Sequence, residues 1–415
     1  MGGWRELLTS IFLVRSERPT PVPLRVWLVI ASLSLTVSVA VALQPGQLGD
    51  LATVRAWLHY WVTAWDNPYK HFGAVLDYPP LAFLMLWPLS LPSEASVAYW
   101  FLPTAIVLTT LAVWAQLRWV SDRLQISLST GERVALVAMV LSGGGVRTGI
   151  WLGQTMALSL LLGALAMQWK RRRPWLAAVC LALCSFKPHI AVGFGLAILL
   201  VEGIGIPLAA AAITMLLSWI FAVTIGESLF SVVIDYASNL LALYGGPDRV
   251  RGMLSIRFVL DDLVGHYATA TVIYRVLAVG SLITIATLAK RRSVDAVTQV
   301  HVAVVCMLWS LVFLPHQLYN SVFAAPGLFL LMWPESGLIR RRGVRAAVVA
   351  AYVMFGVVDI ARLFRLLSRW MPESDWVWWL GYDTSPVQPF ALFLLILWRL
   401  YERPRANAPA VEPTT

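Results

Sequence analysis

Residues 26–43 read VWLVIASLSLTVSVAVAL, a run with no charged side chain. At about 1.5 Å per residue, a helix of this length nearly crosses a hydrocarbon core of about 30 Å. Working outward, the same kind of run recurs. Ala95–Leu117, Ile206–Ile225, Thr271–Ala289, Ala296–Leu314, Ser321–Trp333, Ala346–Phe364 and Pro386–Arg399 each predict a span. The 415-residue chain is 59% hydrophobic and 13% charged, against roughly 25% charged in a soluble domain. That much apolar surface exceeds what a soluble core hides, so the bilayer is the solvent. The runs lack the period-2 alternation of barrel strands. The fold class predicted is an all-α polytopic membrane protein, a bundle of about 10–12 transmembrane helices.

The net charge of +10 sits in short clusters between apolar runs: Arg15, Arg18 and Arg25; Lys170–Arg173; Lys290–Arg292; Arg340–Arg345; Arg399–Arg405. Clusters of that kind mark cytoplasmic loops under the positive-inside rule rather than a nucleic-acid surface. They predict a cytoplasmic leader over 1–25, a single membrane domain over 26–400 and a Pro-rich, disordered cytoplasmic tail over 401–415. Outer loops follow at 44–79, 226–267 and 368–385, the last rich in Trp. No small-residue cleavage site follows the first run, which predicts an uncleaved first span. Cys180, Cys184 and Cys306 lie inside apolar runs and read as small buried side chains, not ligands or disulfide partners.

Several stretches are interrupted. Pro80–Leu91 is apolar but only about half a membrane thickness, so it is either re-entrant or crossing. The polar segment Arg118–Arg133 reads as an inner loop. Val134–Trp169 carries Gly143–Gly145, Arg147, Gly149 and Gly153-Gln154, and reads as two shorter helices meeting at a break. Trp175–Val201 is broken at Lys187-Pro188-His189, where proline removes a backbone hydrogen bond. Broken helices persist at membrane depth where they are buried or line a polar cavity.

The first outer loop leads into GDLATVRAWLHYWVTAWDNPYKHFGAVLDYPPLAFLMLWPLSLP, Gly49–Pro92, which holds Asp50, Asp66 and Asp77. Within it Leu51, Val54, Leu58, Trp61, Val62 and Trp65 recur at helical spacing. They predict an amphipathic helix lying at the interface with its aromatics at headgroup depth. Asp50, at the start of that helix, reads either as an N-cap or as a general base. Asp66 and Asp77 read as solvated loop residues, with Asp77 the second candidate for the base. Lys187, His189 and His316 fall in or beside apolar runs, where an ionisable group is costly and points to function. Arg147, Arg249, Arg251 and Arg257 add cations at predicted outer-face segments. Cations suit a phosphate, and a carboxylate beside a bound hydroxyl suits proton abstraction. No Walker loop is present, which argues against direct use of ATP.

The order Gly49-Asp50-Leu51, an amphipathic helix, Asn67-Pro68-Tyr69, Tyr78-Pro79-Pro80-Leu81 and Trp87-Pro88-Leu89 resembles glycosyltransferase family 87. Gly153-Gln154 before a helix and Phe186-Lys187-Pro188 after a basic turn extend the resemblance, which is clearest over about residues 45–200. It implies a GT-C-type enzyme of a bacterial plasma membrane that takes mannose or arabinofuranose from a polyprenyl-phosphate donor. The acceptor implied is a glycolipid or envelope polysaccharide, and the site faces outward. It further implies an inverting reaction with Asp50 as general base, Lys187, His189 and His316 at the donor phosphate, and Tyr78 and Gln154 at sugar hydroxyls. No nucleotide, flavin or obligatory metal is expected. The late segment Pro315-His316-Gln317-Leu318-Tyr319-Asn320 departs from the family's pattern of a proline, an aromatic pair and then His or Asp. The rival readings are a transporter or flippase of lipid-linked sugar, which the broken helices and Lys187 would also serve, and a scaffold that docks envelope enzymes. A transporter predicts two similar halves, and the sequence has none.

Overall fold

The computed structural model describes residues 24–44, 47–73, 76–244, 255–292, 295–315, 320, 322–323, 325–332, 371 and 387–402. Among the described residues there are helices and no strands. Five of these helices are long and apolar enough to cross a membrane, or six if one bent pair counts as a span. They are α1 (Leu24–Ala42), α5 (Glu94–Leu124), α11 (Gly205–Thr224), α14 (Tyr267–Arg292) and α15 (Ala296–Phe313). The bent pair is α6 (Thr130–Leu141) with α7 (Gly144–Leu152), which meet at 60° where Gly143 starts the second helix. The expected span Ala346–Phe364, the late Trp-rich loop apart from Met371, and His316, Arg249 and Arg251 lie outside the described residues.

Large apolar side chains stand on the surface of three long helices: Val29, Leu33 and Val37 on α1; Leu208, Met215 and Leu216 on α11; Val272, Val276 and Val279 on α14. A water-facing helix would bury that stripe, whereas lipid accepts it. By contrast α15 is enclosed, with every residue from Val300 to Phe313 buried. It packs chiefly against α10 (Pro188–Glu202) and α17 (Val387–Glu402), while α8 (Met156–Trp169) lies between α5 and α9 (Pro174–Cys184). Small residues allow the close approaches. A Cβ on Gly163 of α8 would stand 2.1 Å from the Phe194 ring of α10, so only glycine fits there.

The interruptions fall where glycine and proline predict them, with one more break than expected. Residues 134–169 form three helices, because Gly153 ends α7 in the left-handed region (φ 72°) before α8 begins. Lys187 lies at the break between α9 and α10: the residue before a proline is pushed off helical angles, and Pro188 then starts α10. Two expected boundaries differ. The segment read as a loop from Arg118 stays helical to Leu124, supported by the Arg118–Asp122 pair at 3.6 Å, and only Gln125–Ser129 connects it to α6. Ser129 and Glu132 then form a reciprocal capping box. Pro80–Leu91 resolves into α4 (Pro80–Leu86) and a 3-10 turn (Trp87–Ser90). A seven-residue helix spans only about 10 Å, so this piece does not cross.

The bundle has two chemically different ends. At one, the loop after α1 folds into α2 (Gly49–Ala64) and α3 (Pro68–Phe72). It is tied to α12 (Leu229–Tyr244) by Asn67 Nδ2 donating to Asp235 at 2.8 Å and Asn239 Nδ2 to the Tyr69 carbonyl at 3.2 Å, and to the turn before α12 by Lys70 pairing with Glu227 at 2.5 Å. The described part of the expected loop 226–267 is largely helical, through α12 and α13 (Arg257–Val264). At the other end Arg123, Lys170 and Arg171 meet Glu202, and Arg123 and Arg171 donate to Gln299.

One expectation for α2 is corrected. Its aromatic face does not lie in headgroups. Trp57 and Trp61 are buried in protein, against Tyr78 (5.8 Å between centroids) and Phe83 (5.8 Å) respectively, and Trp61 Nε1 donates to Thr224 at the end of α11. Helical periodicity identifies an apolar face but not what covers it. Only Trp65, at the end of the helix, is exposed in the manner of an interfacial residue.

Candidate active site

Three chain features converge at the first of these ends: the start of α2, the α7–α8 break and the α9–α10 break. Asp50 is not the N-cap of α2 but sits inside its first turn, two residues past the actual cap. The cap is Leu48, held in the left-handed region (φ 61°) with its N–H donating to the Trp151 carbonyl at 3.2 Å. Asp50 is thus released from capping. Beside it Gly153 closes the approach: a Cβ there would lie 2.6 Å from Leu51 Cβ, and its positive φ disfavours any L side chain. Glycine at 153 is what lets Gln154 reach the start of α2.

Gln154 is the hinge of the site. Its Nε2 donates to Asp50 Oδ2 in a short hydrogen bond, and its Oε1 accepts from Lys187 Nζ at 3.3 Å. A carboxylate needs a donor and an ammonium needs an acceptor, so only this amide orientation satisfies both. Lys187 is 5% exposed, and its ammonium lies 4.1 Å from the centroid of the Tyr78 ring, a cation–π contact. Tyr78 is fixed at both ends of its reach: its hydroxyl hydrogen-bonds Thr155 Oγ1 at 3.0 Å, and its carbonyl accepts from the Tyr69 hydroxyl at 2.7 Å. Asp77 accepts from the Tyr244 hydroxyl at 3.0 Å. Asp66 is engaged locally, accepting from Tyr60 and from the Asn67 N–H.

His189 stands two residues past Lys187 on the first turn of α10. Its carbonyl accepts from Ser310 of α15, and its Nε2 lies 3.4 Å from Asn320 Nδ2. Asn320 is 1% exposed, and its Oδ1 has no hydrogen-bond partner among the described residues. The late segment Pro315–Asn320 therefore reaches His189 through Asn320. Thr155 and Tyr244 join the site through their contacts with Tyr78 and Asp77 alone. A threonine after Gly-Gln and a tyrosine at the end of an apolar helix carry no pattern of their own, and only the pairing with Tyr78 and Asp77 gives them a place.

Electrostatically the site sets one carboxylate apart. Burial pushes the Asp50 carboxyl above its ordinary 3.8. The Gln154 hydrogen bond and the Lys187 charge pull it back down, and the Asp77 charge pushes it up again. The net direction is upward, which makes Asp50 a stronger base than a solvated aspartate. Gln154→Ala removes a hydrogen bond made to the ionised form. The Asp50 carboxyl then rises further, and the acid limb of the pH–rate profile is expected to move to higher pH than in the wild type. The profile of kcat/KM in both proteins checks this, and an unmoved limb would put the titrating group elsewhere.

A model of glycosyltransferase family 87 matches residues 76–315. This is more than half of the chain. The protein belongs to glycosyltransferase family 87. No curated protein and no solved structure matches it. Family membership makes it a membrane glycosyltransferase, an enzyme with a donor and an acceptor, in place of the transporter and scaffold alternatives. Asp77, Tyr78, Gln154, Lys187 and His189 lie inside the matched stretch; Asp50 and His316 lie outside it.

Proposed function

We propose that this family 87 glycosyltransferase moves a monosaccharide from a polyprenyl-phosphate donor to a glycolipid or envelope polysaccharide, with mannose or arabinofuranose as the sugar. The observation that carries the reading is the Asp50–Gln154–Lys187 chain, a basic carboxylate and a buried ammonium set on opposite sides of one amide. Asp50 takes the proton of the acceptor hydroxyl. The acceptor oxygen forms its bond to the anomeric carbon as the bond from that carbon to the phosphate oxygen breaks. The electron pair leaves on the lipid phosphate, where Lys187 and His189 stabilise the charge. Attack and departure on opposite faces invert the anomeric centre. Tyr78 holds the ammonium from beneath, and Gln154 sets its distance from the base.

The basic clusters at the far end of the bundle, Lys170–Arg173 with Arg123, support a cytoplasmic end there and an outward-facing site here, in the plasma membrane of a bacterium. An outward site has no nucleotide sugar within reach, which favours a lipid-linked donor. The test is transfer from a panel of radiolabelled polyprenyl-phosphate sugars, with nucleotide sugars in parallel, to membrane glycolipid by the purified protein in liposomes. Labelled product of inverted configuration from one polyprenyl-phosphate sugar is expected. Transfer from a nucleotide sugar alone would overturn the donor, and retained configuration would overturn the single-displacement chemistry.

A further inference from the structure

At the opposite end of the bundle from Asp50, a cavity of about 560 Å³ opens between α9 and α11. Lys170, Arg171 and Glu202 line its polar side, and Trp175, Ile206 and Ala209 its apolar side. The charges do not balance. Lys170 Nζ (3.0 Å), Arg171 Nε (2.7 Å) and an Arg123 nitrogen (3.9 Å) all approach one oxygen, Glu202 Oε1. Three cations face one carboxylate, and Arg172 and Arg173 stand exposed in the same turn. Lys170 is 5% exposed and makes no contact other than Glu202 that satisfies its ammonium among the described residues. Burial first, and the Arg123 and Arg171 charges after it, bring Lys170 down to about 8 against the pull of Glu202. A buried cation in that state is short of negative charge.

The surroundings say where that charge comes from. Trp175 is 66% exposed at the rim, as an aromatic at headgroup depth would be. Ile204 and Leu208, both exposed, continue the apolar wall along α11, where acyl chains would run. We propose that this pocket holds the phosphate headgroup of an anionic phospholipid from the leaflet at the basic end of the bundle. Lys170 and Arg171 are its ligands, Glu202 orients both, and the α11 face takes the tails. A pocket of excess positive charge beside a lipid-facing helix suits such a headgroup. The site is separate from the Asp50 centre, so its test does not depend on the sugar or the donor.

The experiment uses the full-length protein, delipidated in detergent. Native mass spectrometry and thermal shift are read with phosphatidylglycerol, phosphatidylcholine or inorganic phosphate added. Phosphatidylglycerol is expected to bind and raise Tm, and phosphatidylcholine to do neither. Arg171→Gln, at a partly exposed position, and Lys170→Met each lower phosphatidylglycerol affinity by about fivefold, the scale of one surface cation. Their Tm in phosphatidylcholine reports whether they fold, and Arg171→Gln alone suffices should Lys170→Met not. Lys290→Gln, an exposed cation at the same end, is expected to leave the affinity unchanged. An equal loss in Lys290→Gln would mean diffuse attraction and overturn the site. A full shift from inorganic phosphate alone would make it a free-anion site and overturn the lipid. No preference for phosphatidylglycerol would overturn both.

Discussion

Asp50→Asn is expected to lower sugar transfer by about 10²–10⁴-fold, the usual contribution of a positioned general base, without loss of stability. The stability half follows from linkage. The folded-state pKa of Asp50 stands above the ordinary 3.8 taken for the unfolded chain. The native state therefore holds this proton more tightly than the unfolded state does. The stability this gives is fully present below 3.8 and is lost as pH rises through the folded value. At neutral pH the ionised carboxylate is a net cost that the chain tolerates for chemistry. Asparagine keeps an oxygen to accept from Gln154 Nε2 and removes the buried charge. Tm at pH 7 is thus expected to hold or rise while turnover collapses. A merely structural Asp50 would give the reverse, with Tm falling and the rate following the folded fraction. Robust transfer with intact Tm would move the base to Asp77.

How far the sequence carried this reading depended on the residue. Span limits were legible within a few residues for α1, α11 and α15, because an uncharged apolar run of that length has one stable solvent. The breaks at Gly143, Gly153 and Lys187-Pro188 were legible because glycine and proline act on the backbone locally. The cap at the start of α2 was not. Leucine has no propensity for a left-handed cap, and Leu48 adopts it because Trp151, far along the chain, accepts its N–H. The burial of Trp57 and Trp61 was not legible either, since it depends on Tyr78, Phe83 and Phe221 arriving from two other segments. Asp50, Gln154 and Lys187 were each visible as residues out of keeping with their surroundings or through the family resemblance. Their joining into one hydrogen-bonded chain is a tertiary fact that no local pattern encodes.

The second large effect is expected at Lys187. Lys187→Met keeps much of the side-chain volume and removes the charge. If the ammonium stabilises the negative charge that grows on the departing phosphate, its loss costs about 10²–10³ in kcat, or about 2.7–4 kcal/mol of barrier. The pair of effects it produces separates this role from packing. The Lys187 charge also holds the Asp50 carboxyl down, so Lys187→Met is expected to move the acid limb to higher pH as well as to lower the plateau. A packing role would lower Tm and leave the limb where it is. The donor offers a further check. A sugar phosphate with a more acidic leaving group needs less help as its bond breaks, so the ratio of wild-type to variant rate should shrink with such donors. Lys187→Arg restores charge but not shape: a planar guanidinium over the Tyr78 ring places its donors differently from an ammonium 4.1 Å from that centroid. Partial recovery of the limb with little recovery of kcat is expected, because the electrostatic effect on Asp50 tolerates displacement and contact with a reacting phosphate does not. A ratio unchanged across donors would remove Lys187 from the leaving group and leave it as the group that positions Gln154.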